Sequence, residues 1–304
     1  TYTTKWGSIE HKFLGSLELS RQETDNSRLA AFFNNNLTTT GTQVTLNANT
    51  ASQIGSIPVT FAANLINGNN AFRDNTSQVD VIGVTVQDQI TFSPQWQAIF
   101  GLRYDHFSTE FRGERRRGGT TNPNDLISER FDITDEFVSP RAGLIYKPRP
   151  DMSVYGSYSV SYVPRAGDQL TSLTPTTQAF SPEKFINFEI GAKWDVNPDL
   201  ALTLAVYQLE REKVAVTNPS NSSETILVDG QETTGIELGV AGQLTKRWSL
   251  FGGYAYQDGE ITEQQGAGAG AVLKGAELGQ TPAHTFSLWN RYNFTDVWGA
   301  ALGV

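Results

Sequence analysis

The sequence predicts an all-β protein, an antiparallel up-and-down transmembrane β-barrel with short periplasmic turns and long extracellular loops. Three observations predict it. Apolar and polar residues alternate with period two, connections alternate between short and long, and aromatic residues gather towards segment ends. The alternation is plainest in Leu200, Leu202, Leu204 and Val206, which share one side of a segment opposite Ala201, Thr203 and Ala205. Val154, Tyr158, Val160 and Tyr162 likewise oppose a run of serines. Ile186, Phe188, Ile190, Ala192 and Trp194 alternate with Asn187, Glu189, Gly191 and Lys193, and Ile236, Leu238 and Val240 with Gly235, Glu237 and Gly239. Successive side chains of a strand point to opposite faces, so each segment has one apolar and one polar face. A helix would set residues two apart on different sides. A soluble sandwich alternates too, so this pattern does not by itself choose between a protein core and lipid.

The connections choose. Tight turns fall at residues 93–95, 148–151, 196–199, 244–247 and 294–296, four of them holding Pro, Asn or Asp. They alternate with long polar stretches near 25–78, 113–134, 164–182, 217–231 and 261–281. Short turns on one side and long loops on the other are the habit of outer-membrane barrels, whereas a Greek-key sandwich gives no reason for it. Roughly twelve strands of the 9–12 residues that a tilted membrane strand needs can be counted.

Trp96, Tyr104, Phe107, Tyr146, Tyr162, Trp194, Tyr207, Trp248, Tyr254, Tyr256, Trp289, Tyr292 and Trp298 fall mostly towards strand ends, where aromatic girdles at the two membrane interfaces would place them. Aromatics also favour strands in general. Asp88 resists the pattern, because it shares the parity of Ile82, Val84, Val86 and Ile90. Either it lies near an interface or a bulge shifts the phase there.

Composition removes several functions. With 23 Lys and Arg against 32 Asp and Glu the formal charge is −9, and a general nucleic-acid binder needs a basic surface. There is no Cys, so thiol catalysis, thiolate metal sites and disulfides are all excluded. His11, His106 and His284 are far apart in sequence and show no metal-ligand spacing; no cofactor is expected. No run of 18 or more apolar residues offers a transmembrane helix. The chain opens at Thr1 without a signal peptide, as a mature chain or an internal piece does.

Six blocks then make the reading specific. They are Val86–Ile90 running into Gly101–Asp105, Ser139–Pro148, Val154–Tyr158, Ser181–Lys184 through Asn187–Trp194, Thr234–Leu238, and Thr281–Trp289. In this order and spacing the sequence resembles the TonB-dependent outer-membrane receptors, and within them the siderophore receptors. The segment Ser161–Leu170, followed by Pro182 and Glu183, is most similar to the catecholate siderophore receptors. The resemblance covers nearly the whole chain and is poorest at 26–77. It implies an energy-coupled importer in the outer membrane of a Gram-negative bacterium. Its implied partners are a ferric siderophore, TonB with its inner-membrane energising complex, and outer-membrane lipids and lipopolysaccharide. Family members close about 22 strands around an N-terminal plug. Residues 1–304 are therefore expected to be a partial barrel, roughly strands 8 to 19, without the plug or the segment that TonB grips. Such a piece would have two unpaired edges, and open edges do not persist in lipid.

Candidate ligand contacts follow from charge and place. The run Arg112-Gly113-Glu114-Arg115-Arg116-Arg117 opens a long loop past a strand expected over 98–111, and guanidinium suits anionic ferric siderophores. Arg115, Arg116 and Arg117 also fit a solvated loop or contact with lipopolysaccharide phosphates. Arg165, after Pro164 at the end of a Ser/Tyr strand, would face a binding vestibule or anchor at headgroups. Arg103, Asp105, Arg141, Glu189, Lys193, Glu237 and Arg291 fall on the inward parity, where charges pair with each other or with a plug. The Gly266–Ala271 run lacks the Lys-Ser/Thr of a phosphate loop and reads as a loop tip. No catalytic constellation stands out, so an enzyme is not expected. The rivals are a same-family receptor for cobalamin, haem or an oligosaccharide, a passive porin or adhesive barrel, and a soluble β-rich binder.

Overall fold

The structure is a computed structural model that describes residues 1–28, 30–33, 59–62, 73–116, 126–164, 177–218, 220, 225–266, 271–279 and 281–304. Its strands are β1 (Tyr2–Trp6), β2 (Ile9–Arg28), β3 (Ala30–Phe33), β4 (Val59–Ala62), β5 (Arg73–Thr91), β6 (Trp96–Arg116), β7 (Leu126–Arg149) and β8 (Met152–Val163). They continue as β9 (Glu183–Asn197), β10 (Leu200–Glu212), β11 (Val214–Thr217), β12 (Thr225–Val228), β13 (Gln231–Thr245), β14 (Trp248–Ile261), β15 (His284–Asn293) and β16 (Gly299–Gly303). Twelve form one sheet in the order β1-β2-β5-β6-β7-β8-β9-β10-β13-β14-β15-β16, antiparallel throughout. The other four make two small ladders, β3 with β4 and β11 with β12. Apart from a 3-10 turn at Thr177–Ala179, no helix occurs among the described residues. β1 and β16 stand at opposite ends of the sheet order.

The ladders reproduce the expected parity. Leu204 pairs with Leu238 and Ala192, and Val206 with Ile236 and Ile190, so apolar residues form continuous rows across neighbouring strands. These rows are open to the outside: Leu17, Leu19 and Ile190 are each about two-thirds exposed. In water such rows would be a large apolar patch; on a barrel they are the lipid-facing band. Aromatics bound it. At the short-turn end the Trp96 and Tyr146 rings meet at 4.6 Å, tilted against each other, and Trp248 pairs with Tyr292. At the other end stand Tyr104 and Tyr256. Three residues of the expected girdle face inward instead. Phe107, Tyr207 and Trp289 lie on the parity opposite to Tyr104, Val206 and Leu288.

Four strands are longer than a membrane requires. β2 has 20 residues, β5 19, β6 21 and β7 24, about twice the 9–11 that suffice. The stretches near 25–78 and 113–134, expected as loops, therefore begin and end as strand, and Arg112–Arg116 belong to β6 rather than to a loop. The physical reason is a change of solvent. Above the band the outward face meets water, so its residues become polar while the backbone pairing continues. Arg21 bonds Asp80 at 2.6 Å and Arg130 bonds Asp132 at 3.1 Å. The Arg21 guanidinium holds the Asp80 carboxyl below its ordinary value by hydrogen bonding.

On the inward side of this overhang Val79, Phe111 and Phe131 are buried together, with Val81, Phe107 and Ile133 packed against them. The apolar parity thus inverts at one height in three strands. In β6 it passes from outward Leu102 and Tyr104 to inward Phe107 and Phe111 with no break in the ladder to β5 or β7.

Asp88 needs no bulge. β5 pairs with β2 and β6 over its whole length without a register shift, and Asp88 stays on the lipid-facing parity. Its carboxylate meets His11 Nδ1 at 2.7 Å, and the imidazole lies 4.2 Å from the Trp6 ring and 5.7 Å from Phe13. A charge facing lipid is costly unless paired and covered; here it is both, near the short-turn interface.

Candidate functional site

The inward face of β6, β7 and β8 carries the densest chemistry among the described residues. Arg103 donates to Asp105 at 2.9 Å and to Glu18 at 2.8 Å, a bidentate-capable fork shared between two carboxylates. Arg141 donates to the neutral Gln87 side chain and has no carboxylate partner among the described residues, so its charge is unmatched there. Both guanidinium groups lie flat over glycines of the preceding strand: a Cβ on Gly83 would come within 2.5 Å of Arg103, and one on Gly101 within 2.5 Å of Arg141. The absent side chains let these long cations hug the wall.

Two tyrosines use the same device. The Tyr155 ring covers Gly191, and Tyr207 covers Gly235. Tyr155 donates to Glu189 at 2.5 Å and Tyr207 to Gln257 at 3.2 Å. Gly191→Ala should lift the Tyr155 ring and cost about 1–3 kcal/mol, the range for overfilling a packed site. Gly156→Ala, where a Cβ meets open space, should cost little. Thermal unfolding of the two variants in the same lipid discs checks the difference.

Above the arginines the wall changes. The β7–β8 ladder ends at Arg141 and Ser159, while β7 continues against β6 and β8 continues against β9. Where β7 and β8 part, Phe137 and Tyr162 stack at 4.9 Å, and Phe107 stacks on Phe137 at 5.2 Å. Together with Arg103, Asp105 and Arg141 these three rings line a cavity of about 530 Å³. Its floor is hydroxyl-rich, with Ser16, Thr85, Ser139, Ser159 and Ser161. An aromatic rim over a cationic, hydroxyl-bearing floor suits a planar, anionic, hydrogen-bonding guest.

Of the sequence candidates, Arg103, Asp105 and Arg141 meet in this cavity. Glu189, Lys193 and Glu237 lie further round on the same inward face, where the Lys193 ammonium sits 5.6 Å from the Tyr155 ring centre. Arg291 faces inward and donates to Asn293 at 3.1 Å. Arg115 and Arg116 end the β6 backbone beyond the cavity, and their side chains lie outside the described part, as do all of Arg117, Arg165 and residues 267–270 of the glycine-alanine run. Sequence reasoning placed Phe107 and Tyr162 in the membrane girdle and passed over Phe137. The signal that finds Phe107 and Phe137 is the parity inversion, since Phe107, Phe111, Phe131 and Phe137 alternate with Ser108, Glu110, Asp132 and Glu136 in the opposite phase to the lipid-facing rows. Tyr162 keeps the parity of Val154 and Tyr158 and reaches Phe137 where β7 and β8 part.

An antiparallel sheet with an apolar outside bounded by aromatics, and a charged, hydroxyl-rich inside, is the wall of an outer-membrane β-barrel. Its class is confirmed by comparison: residues 1–304 match the family model described as TonB dependent receptor-like, beta-barrel, and the chain belongs to that family of transport receptors of the Gram-negative outer membrane. Among curated relatives it is 34% identical over 240 residues to a probable TonB-dependent receptor, BfrD, of Bordetella pertussis, covering 77% of this chain and 30% of the relative. It is 30% identical over 233 residues to the metal-pseudopaline receptor CntO of Pseudomonas aeruginosa, covering 76% and 31%. It is 27% identical over 248 residues to the catecholate siderophore receptor Fiu of Escherichia coli, again covering 76% and 31%. The crystal structure of Fiu in its closed form superposes with a TM-score of 0.76 at 23% identity, over 99% of this chain and 42% of that one. The chain thus spans about a third of the length of the curated relatives it matches.

Proposed function

We propose that this chain is part of the wall of a receptor that binds ferric siderophores, of the catecholate kind, and imports them with energy delivered through TonB and its inner-membrane complex. Residues 1–304 are read as barrel within a longer receptor whose plug lies elsewhere in the protein. The observation that carries the proposal is the cavity of Phe107, Phe137 and Tyr162 over the unmatched Arg141. Catecholate complexes combine flat aromatic rings with negative charge, the two features which that wall answers by stacking and by charge-assisted hydrogen bonding. The likeness to a receptor named for catecholate siderophores supports the same reading. A second reading is favoured by the relative named for metal-pseudopaline: a metal chelate recognised mainly through its charge, with the arginine outweighing the rings. Arg115, Arg116, Arg117 and Arg165 remain candidate ligand contacts at the extracellular end.

Radio-iron uptake by the producing bacterium under iron limitation tests the proposal, with the intact gene, without it, and with Arg115, Arg116 and Arg117 changed together to alanine. Deleting the gene should abolish protonophore-sensitive uptake of ferric catecholates and spare hydroxamates. The triple variant should weaken uptake by about tenfold if those arginines supply even one charge-assisted hydrogen bond of typical strength. Loss of another chelate alone would overturn the catecholate class, and undiminished uptake by the triple variant would remove the three arginines from the site.

A further inference from the structure

The outside of the sheet is not uniform. Across β9, β10, β13, β14 and β15 the lipid-facing rows enclose an apolar groove of about 450 Å³, lined by Trp194, Leu204, Val240, Tyr254, Phe286 and Leu288 among others. A small residue opens its floor: Ala192, which lines it, stands between Val154 and Leu204 in register. The groove is inclined. Trp194 lies close to the short-turn end of β9 at Asn197, whereas Phe286 and Leu288 lie deeper in the band along β15. It therefore rises from the periplasmic interface towards the middle of the membrane.

Its lower mouth carries polar groups suited to a lipid head. The Trp194 indole donates to Asp151 at 3.2 Å, and the Arg149 guanidinium lies 5.7 Å from the Trp194 ring centre. Arg149 meets Asp151 at 3.2 Å and is about half exposed. A guanidinium has five N–H donors in a fixed fork, so one carboxylate contact leaves donors directed to the interface. Lys147, Lys246 and Arg247 add cations to the same short-turn rim, against Asp151, Asp195 and Asp199.

We propose that this groove holds one acyl chain of a phospholipid of the periplasmic leaflet, with its phosphate bound by Arg149 beside Trp194. Lipid is the occupant because the groove lies on the lipid-facing parity within the aromatic-bounded band. Chain burial alone gives little preference there, since the alternative is other lipid. Fit to a floor opened at Ala192, and the phosphate contact, make the site selective. The inclination assigns the periplasmic leaflet, where phospholipid heads meet the short turns.

Native mass spectrometry tests it, on the full-length receptor released from lipid discs of phosphatidylethanolamine with a minority of phosphatidylglycerol. The wild type should keep one phospholipid. Ala192→Phe, which fills the floor with an apolar group on a lipid-facing position, should reduce that retention about tenfold or more. Arg149→Gln should reduce it as well while leaving the groove open. Heat-dependent migration in detergent gels verifies that each variant is folded, and Val240→Trp replaces Ala192→Phe should that one fail to fold. A wild type that releases all its lipid, or folded variants that retain it like the wild type, would overturn the proposal.

Discussion

Placing arginine at Leu204 is expected to destabilise the folded receptor by about 2–4 kcal/mol, the cost of a cation on the lipid face near the bilayer midplane. Leu204 sits in the row Ala192, Leu204, Leu238 and is exposed on the lipid-facing side, so an arginine there faces hydrocarbon with no partner. One residue further on, Ala205→Arg should cost far less. Ala205 pairs in register with Glu237 and Gly191, on the polar inner face, where a guanidinium finds a carboxylate across the ladder. Equilibrium unfolding of the two variants in the same bilayers gives the comparison. Equal costs would mean that the two faces do not meet different solvents.

Phe111→Ala should cost about 3–5 kcal/mol, the range for deleting a buried aromatic. The site is on the inward side, above the band, where Phe111 packs on Phe131 at 5.5 Å and on Val79. The outer parts of β5, β6 and β7 stand beyond the membrane and have no lipid to hold them, so this cluster is their core. The loss should therefore be local. Amide exchange should speed up in the outer parts of β5, β6 and β7 while the band, with Leu102 and Val138, stays protected. A change confined to the band, or none at all, would contradict the inverted parity. Phe107 and Phe137 stand next to this cluster, so ligand affinity should fall with it.

Much of this fold was legible from side-chain alternation, because a membrane imposes it. Leu200–Val206, Ile186–Trp194 and Ile236–Val240 each show one apolar and one polar face, and the structure pairs them as rows. Four of the five tight turns were marked by Pro, Asn or Asp between such segments, and the turn at 244–247 by its polar residues alone. What escaped were places where the solvent, and not the backbone, changes. Residues 113–116 and 126–134 read as loop because their outward face turns polar, although the ladder continues through Arg112 and Arg130. Asp88 read as an anomaly because its partner, His11, is 77 residues away in sequence. The inward charges Arg103, Asp105 and Arg141 were legible from parity. The cavity they share with Phe137 and Tyr162 was not, because it depends on β7 and β8 parting above Arg141, and no local pattern announces where a ladder ends. Aromatics at strand ends were ambiguous for a related reason: Phe107 and Tyr104 are three residues apart and differ only in the face they occupy.

The central claim is that this chain is a wall with lipid on one side and a polar interior on the other. Site-directed spin labelling tests it most directly, and the absence of native Cys in these 304 residues leaves each introduced thiol unique within them. Labels placed one at a time from 201 to 207 and from 235 to 240 in the bilayer-embedded receptor would be probed for collision with dissolved oxygen, which concentrates in lipid. The account predicts strong collision at 202, 204, 206, 236, 238 and 240 and weak collision at the residues between, with the two strands in phase according to the Leu204–Leu238 pairing. Collision rates that do not alternate, or that peak at Thr203, Ala205 and Glu237, would contradict it.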